Sequence, residues 1–169
     1  MNEKECREIY REAFRDPDDQ FENRLFSLCG EYCRTLMRDG RTAAMLFALP
    51  CRITSGKKTA SGFYIYAAAT KREYRGTGCM SRLIETLKQE GSPLFLKPAD
   101  DGLIKFYEKL GFKAFAASAL DKGGCRACPE GGFAKLVSEE PPADHSYTAM
   151  SFGADDFELD NMYFPYIME

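Results

Sequence analysis

Arg75-Gly76-Thr77-Gly78 is the stretch of this chain whose residue types and spacing could do chemistry. Ahead of it runs Phe63-Tyr64-Ile65-Tyr66-Ala67-Ala68-Ala69, an apolar segment rich in aromatic and branched residues that favour a buried strand, then a polar turn from Thr70 to Tyr74. Behind it Met80, Leu83, Ile84 and Leu87 recur with the spacing of one face of an amphipathic helix. The first amides of a helix have no partner inside it, and the macrodipole adds about half a positive charge at that end. A phosphate placed there is both hydrogen-bonded and charge-stabilised. Gly76 and Gly78 let the backbone approach closely and take unusual dihedrals, and Arg75 can add a charge-assisted bond at the rim.

Spacing separates the phosphate motifs that share this logic. A Walker loop needs Gly-Lys-Ser/Thr, whereas Gly78 is followed by Cys79 and Met80; a dinucleotide fingerprint needs a third glycine where Ser81 stands. What remains, Arg-x-x-Gly-x-(Gly or Ala) after an apolar strand, resembles the pyrophosphate loop of the GCN5-related N-acetyltransferases, which bind acetyl-CoA. About thirty residues on, Phe106-Tyr107-Glu108-Lys109-Leu110-Gly111-Phe112 resembles that family's downstream signature, a helix ending in Phe-Tyr-x-x-x-Gly-Phe.

The resemblance implies an α/β (α+β) fold with a mixed, mostly antiparallel central sheet flanked by helices. It implies that the amides of Arg75, Gly76, Thr77, Gly78, Cys79 and Met80 hold the pyrophosphate, with Met80 a departure from the usual Gly or Ala. Ala68, Ala69 and Thr70 would pair with the pantetheine arm and polarise the thioester carbonyl. Tyr107 matches the tyrosine that protonates the departing thiolate; a phenol near pKa 10 lies within about two units of a thiol near 8.5. Asp100 takes the place of a frequent cofactor-contacting asparagine, with helix capping an equal alternative. The strands expected at Pro93–Lys97 and Lys113–Leu120 would splay apart, leaving a gap where acyl group and acceptor meet.

The function this implies is direct acetyl transfer from acetyl-CoA to a primary amine. The alternative is a catalytically inactive acyl-CoA-binding sensor or partner module, which draws support from the lack of an acid in Phe63–Thr70. No residue is assigned as the general base. Glu73 sits in a solvated turn, the lone His145 follows Pro141-Pro142 and Asp144, and Glu169 offers only the terminal carboxylate. Cys79 at a helix start reads as a partly buried thiol.

The rest of the chain must position these groups. With 169 residues, 44% hydrophobic and 29% charged, it has the material for one sizeable core, so a single domain over 1–169 is expected, with 121–169 an extension packing on it. Net charge −3 argues against a broad grip on nucleic acid, and no long apolar run suggests a membrane span. A cytoplasmic protein is expected, its partners CoA and a small amine or peptide amine; a homodimer is compatible with this. The 7 cysteines read as reduced thiols, and Cys125-x-x-Cys128 as a loop with two free thiols rather than half a zinc site, so no metal is expected.

Asn2–Arg15 and Pro17–Cys29 read as amphipathic helices separated by Asp16-Pro17-Asp18-Asp19. Glu31–Arg38 and Arg41–Ile53 read as a hairpin turning at Asp39-Gly40, and Ser55–Gly62 as a longer connection. Leu103–Leu110 reads as a helix capped by Gly111. Beyond Asp121, 123–132 reads as a loop, Phe133–Val137 and Ser146–Phe152 as strands, and 139–142 as a break. The aromatic tail from Asp155 should dock.

Overall fold

The computed structural model describes residues 1–15, 19–118, 120–137 and 146–164. It has a mixed α/β fold with five helices and eight strands among the described residues. These form two compact units, one of Met1–Leu49 with Ile65–Glu90 and one of Pro50–Tyr64 with Gly91–Glu169. No helix among the described residues is long and apolar enough to cross a membrane.

The first unit begins with α1 (Glu3–Phe14) and α2 (Asp19–Cys29). Cys6, Ile9 and Tyr10 face inward from α1, Leu25, Phe26 and Cys29 from α2, and the Phe26 ring meets Tyr10 and Phe47 edge-on. A buried carboxylate clasps the helices: Glu22 accepts hydrogen bonds from Arg7 at 2.8 Å and Arg11 at 2.7 Å. β1 (Cys33–Arg38) and β2 (Arg41–Ser55) form the expected hairpin, with Asp39 and Gly40 at φ 52° and 75°, the pair of left-handed residues a tight hairpin turn demands. Ala43 to Leu49 are all buried, which marks β2 as an interior strand covered on both faces. The unit continues through the end of β3 (Lys58–Thr70), a single turn at Arg72–Tyr74, and α3 (Cys79–Lys88), which buries Cys79, Leu83, Ile84 and Leu87.

In the second unit, Ser55–Gly62 is no long connection. β2 runs to Ser55, turns at Gly56-Lys57 and re-enters β3 at Lys58. The Ser-Gly-Lys-Lys composition suggested a loop, but Gly62 serves close approach: a Cβ there would lie 2.7 Å from Ile53 Cδ1 and 2.8 Å from the Pro93 carbonyl oxygen. Next come β4 (Leu94–Leu96), α4 (Asp101–Lys109), β5 (Lys113–Ser118), β6 (Arg126–Pro129), α5 (Gly131–Val137), β7 (Tyr147–Phe152) and β8 (Met162–Tyr163). The 123–132 stretch thus holds a strand, and Phe133–Val137 is a helix whose Phe133 and Leu136, three apart, are both fully buried.

The strand order is β3-β4-β7-β5-β8-β6, and β6 returns to pair with β2 from Cys51↔Pro129 to Thr54↔Arg126. Pairing is mixed: β3–β4, β5–β8 and β6–β8 are parallel, β3 and β4 at Phe63↔Leu94 and Tyr64↔Phe95, whereas β4–β7, β5–β7 and β2–β6 are antiparallel. The gap expected between β4 and β5 is filled, because β7 inserts there and pairs with both. The tail docks as far as it is described: Met162 and Phe164 are fully buried, and Tyr147 Oη–H donates to the Phe164 carbonyl.

Candidate active site

The first unit gathers Ala68, Ala69, Thr70 and Arg75–Met80 at the end of β3 and the start of α3. Gly76 and Gly78 have φ 74° and 79°, and a Cβ on either would meet nothing within 4 Å. Glycine is required here by the left-handed backbone and not by crowding. The space over the loop is open, as an anion site needs. The first bond of α3 runs from Arg82 N–H to the Gly78 carbonyl, so the amides of Cys79, Met80 and Ser81 precede it and lack a partner within the helix. Thr77 Oγ1–H donates to the Tyr74 carbonyl at 2.6 Å, and Thr77 Oγ1 lies 3.3 Å from Cys79 Sγ. Cys79 is buried.

Arg75 does not reach out as a free guanidinium. Its Nε–H donates to the Thr70 carbonyl at 3.0 Å and Nη2 stands 3.6 Å from Glu12. Glu12, on the last turn of α1, also accepts the Arg72 main-chain N–H at 3.0 Å. A cavity of about 450 Å³ lies beside the turn, lined by Glu12, Lys71, Arg72 and Glu73, with Glu73 paired to Lys71 at 3.4 Å. Glu12 carried no sequence signal, since it reads as one more acid on the polar face of α1.

Ala67, within β3, has φ 50°, a strained value for a residue with a Cβ. The burial alternation of β3 shifts earlier, at Tyr64 and Ile65, which are both buried, after which Ala67 and Ala69 are buried. The run of three alanines gave no hint of the strained angle.

Tyr107 and Asp100 belong to the second unit. Asp100 caps α4, its Oδ1 accepting Leu103 N–H at 2.9 Å. Gly111 ends that helix at φ 82°, with Gly111 N–H bonded to the Glu108 carbonyl. Tyr107 is the buried residue of α4, 6% exposed, its ring edge-on to Phe106 and Phe112. Burial pushes its phenol up to about 12. Its hydroxyl has no hydrogen-bond partner among the described residues.

Among the described residues no three His, Cys, Asp or Glu side chains converge to hold a metal, and Cys125 and Cys128 are free thiols. His145 and Glu169 lie outside the described residues.

A family model described as an acetyltransferase (GNAT) domain matches residues 2–115. Solved structures share the fold. A GCN5-related N-acetyltransferase from Anabaena variabilis superposes with a TM-score of 0.56 at 23% identity over 68% of this chain, which spans only 31% of that longer protein. The ribosomal-protein-S18-alanine N-acetyltransferase of Escherichia coli gives 0.53 at 17% identity, over 88% of this chain and 85% of its own. Arabidopsis thaliana Naa50, in complex with the bisubstrate analogue CoA-Ac-MVNAL, gives 0.51 at 16% identity, over 90% and 93%. No curated protein sequence matches significantly.

Proposed function

The chain belongs to the GNAT family of N-acetyltransferases, and from that membership we propose that it moves the acetyl group of acetyl-CoA directly to a primary amine of a small molecule or peptide. The observation that carries this reading is the pair of left-handed glycines, Gly76 and Gly78, under open space at the mouth of α3. The amides of Gly76, Gly78, Cys79 and Met80 hold the diphosphate, whereas those of Arg75 and Thr77, counted with them from the sequence, already donate to the Arg72 and Tyr74 carbonyls. The end of β3 from Ala68 to Thr70 guides the pantetheine arm, and a backbone N–H there polarises the thioester carbonyl. Asp100, besides capping α4, is a cofactor contact in the same reading.

In the transfer, the amine nitrogen bonds to the carbonyl carbon, the carbon–sulfur bond breaks, and Tyr107 gives its proton to the leaving thiolate. The proton lost by the acceptor restores the phenol through solvent. A phenol raised to about 12 is a weaker acid than a free one. The same burial also disfavours a thiolate, so the two partners move up together and the proton still has a taker. The Naa50 complex, with a CoA moiety joined through acetyl to a peptide, supports the direct geometry and the peptide amine as one acceptor class.

Calorimetric titration with CoA and an amine panel read by thiol release test the proposal. Binding together with turnover on at least one amine is expected. Binding without turnover on any amine points instead to an acyl-CoA sensor, and no binding at millimolar CoA overturns both readings.

A further inference from the structure

Glu12 stands outside the loop and outside any chemistry assigned above, yet several contacts that hold the loop's approach end on its carboxylate. Oε1 accepts the Arg72 main-chain N–H at 3.0 Å and lies 3.5 Å from Arg72 Nε and 3.6 Å from Arg75 Nη2. Arg75 passes the connection to the Thr70 carbonyl through Nε–H at 3.0 Å. From Arg72 the order continues through the backbone: Tyr74 N–H to the Lys71 carbonyl at 2.9 Å, Arg75 N–H to the Arg72 carbonyl at 3.2 Å, and Thr77 Oγ1–H to the Tyr74 carbonyl at 2.6 Å. A single side chain on α1 is thus linked to the last residue of β3 and, bond by bond, to the residue between the two glycines.

Packing does not account for this carboxylate. Its side chain is 25% exposed and lines the open cavity shared with Lys71, Arg72 and Glu73. Electrostatics alone would argue against it, because a negative charge beside a phosphate site repels the ligand. Its geometric service is what remains: a charge-assisted bond to a main-chain N–H, reinforced by two guanidinium groups, fixes where the single turn begins.

We propose that Glu12 is a positioning residue for the diphosphate loop, setting through Arg72 and Arg75 the backbone that presents Gly76 and Gly78 to CoA. This rests on the reading of that loop as the CoA site. Glu12→Gln keeps an oxygen for the Arg72 N–H and discards the charge, whereas Glu12→Ala removes both.

Calorimetry with CoA on wild type, E12Q and E12A, with thermal melting of each, separates the roles. E12A is expected to bind CoA about tenfold more weakly, the scale set by losing one hydrogen bond to a charged group, and E12Q, which keeps the oxygen for the Arg72 N–H but loses the charge toward both guanidinium groups, to fall between E12A and wild type. Tighter binding by both variants would make Glu12 a competitor of the phosphate and overturn the proposal, as would E12A binding as tightly as wild type. If E12A does not fold, Glu12→Asp carries the test, since it keeps the charge but falls a methylene short of Arg72; unchanged CoA affinity in E12D overturns the proposal. Absence of binding by wild type removes the CoA reading and this inference together.

Discussion

Phe133 stacks on Tyr64, their ring centroids 5.9 Å apart and their planes 10° from parallel. The contact joins α5 to the entry half of β3, and Phe164 closes it from the side, edge-on to Tyr64 at 5.0 Å. Phe133 and Phe164 are both fully buried. Phe133→Ala should therefore cost about 3–5 kcal/mol, the range for deleting a buried aromatic ring. Urea unfolding measures it, and an unshifted midpoint would contradict the packing described.

Tyr107→Phe removes a hydroxyl with no partner among the described residues, so melting temperature should hold. Turnover should fall by about two to four orders of magnitude if the phenol is the acid, with CoA affinity nearly unchanged. Because burial raises the phenol to about 12, its neutral, proton-bearing form persists below that pH and is lost only as pH rises through it. The rate profile should show no tyrosine limb near pH 10; a limb there would show a phenol of ordinary acidity.

Gly76→Ala and Gly78→Ala meet no steric neighbour, so any loss must come from the backbone. Each should cost about 1–2 kcal/mol of stability, the scale of a left-handed conformation in a residue with a Cβ, and each should weaken CoA binding. Gly78→Asn should be milder, since asparagine tolerates that region. Titration of the three variants checks this; alanine variants that bind like wild type would show the loop to be less constrained than its φ values imply.

Glu22 supplies a pH dependence. Burial pushes its carboxyl up, but hydrogen bonds from Arg11 and Arg7 outweigh this and hold it below the ordinary range. A depressed carboxyl contributes stability above its unfolded pKa and loses it as pH falls through the folded one. Wild type should thus lose stability on acidification below about pH 4. Glu22→Gln should start less stable at neutral pH and lose less on acidification, and parallel stability curves for the two proteins would refute the clasp.

The local structure of the two motifs was legible because each is written in neighbouring residues. The loop needs only its glycines and the helix behind it, and α4 with its Asp100 cap and Gly111 exit is written in consecutive residues. What sequence hid was non-local. β6 owes its existence to Cys51–Thr54, more than seventy residues upstream, and without that partner Gly123–Gly132 looks like a loop. Insertion of β7 between β4 and β5 is likewise a pairing choice that no spacing records. The left-handed Ala67 and the contacts of Glu12 lie between these cases: each sits in a correctly read element, but the decisive fact is a backbone angle in one and a tertiary partner in the other.

The return of β6 to β2 makes the strands of the second unit a ring in which each described strand has a neighbour on both sides. The family match ends at residue 115, so β6, β7 and β8, which complete that ring, all come from chain beyond it. Shortening the protein to the matched portion would leave β2 and β4 with bare hydrogen-bonding margins. Such a fragment should seek those bonds in other copies of itself and precipitate as cross-paired strands.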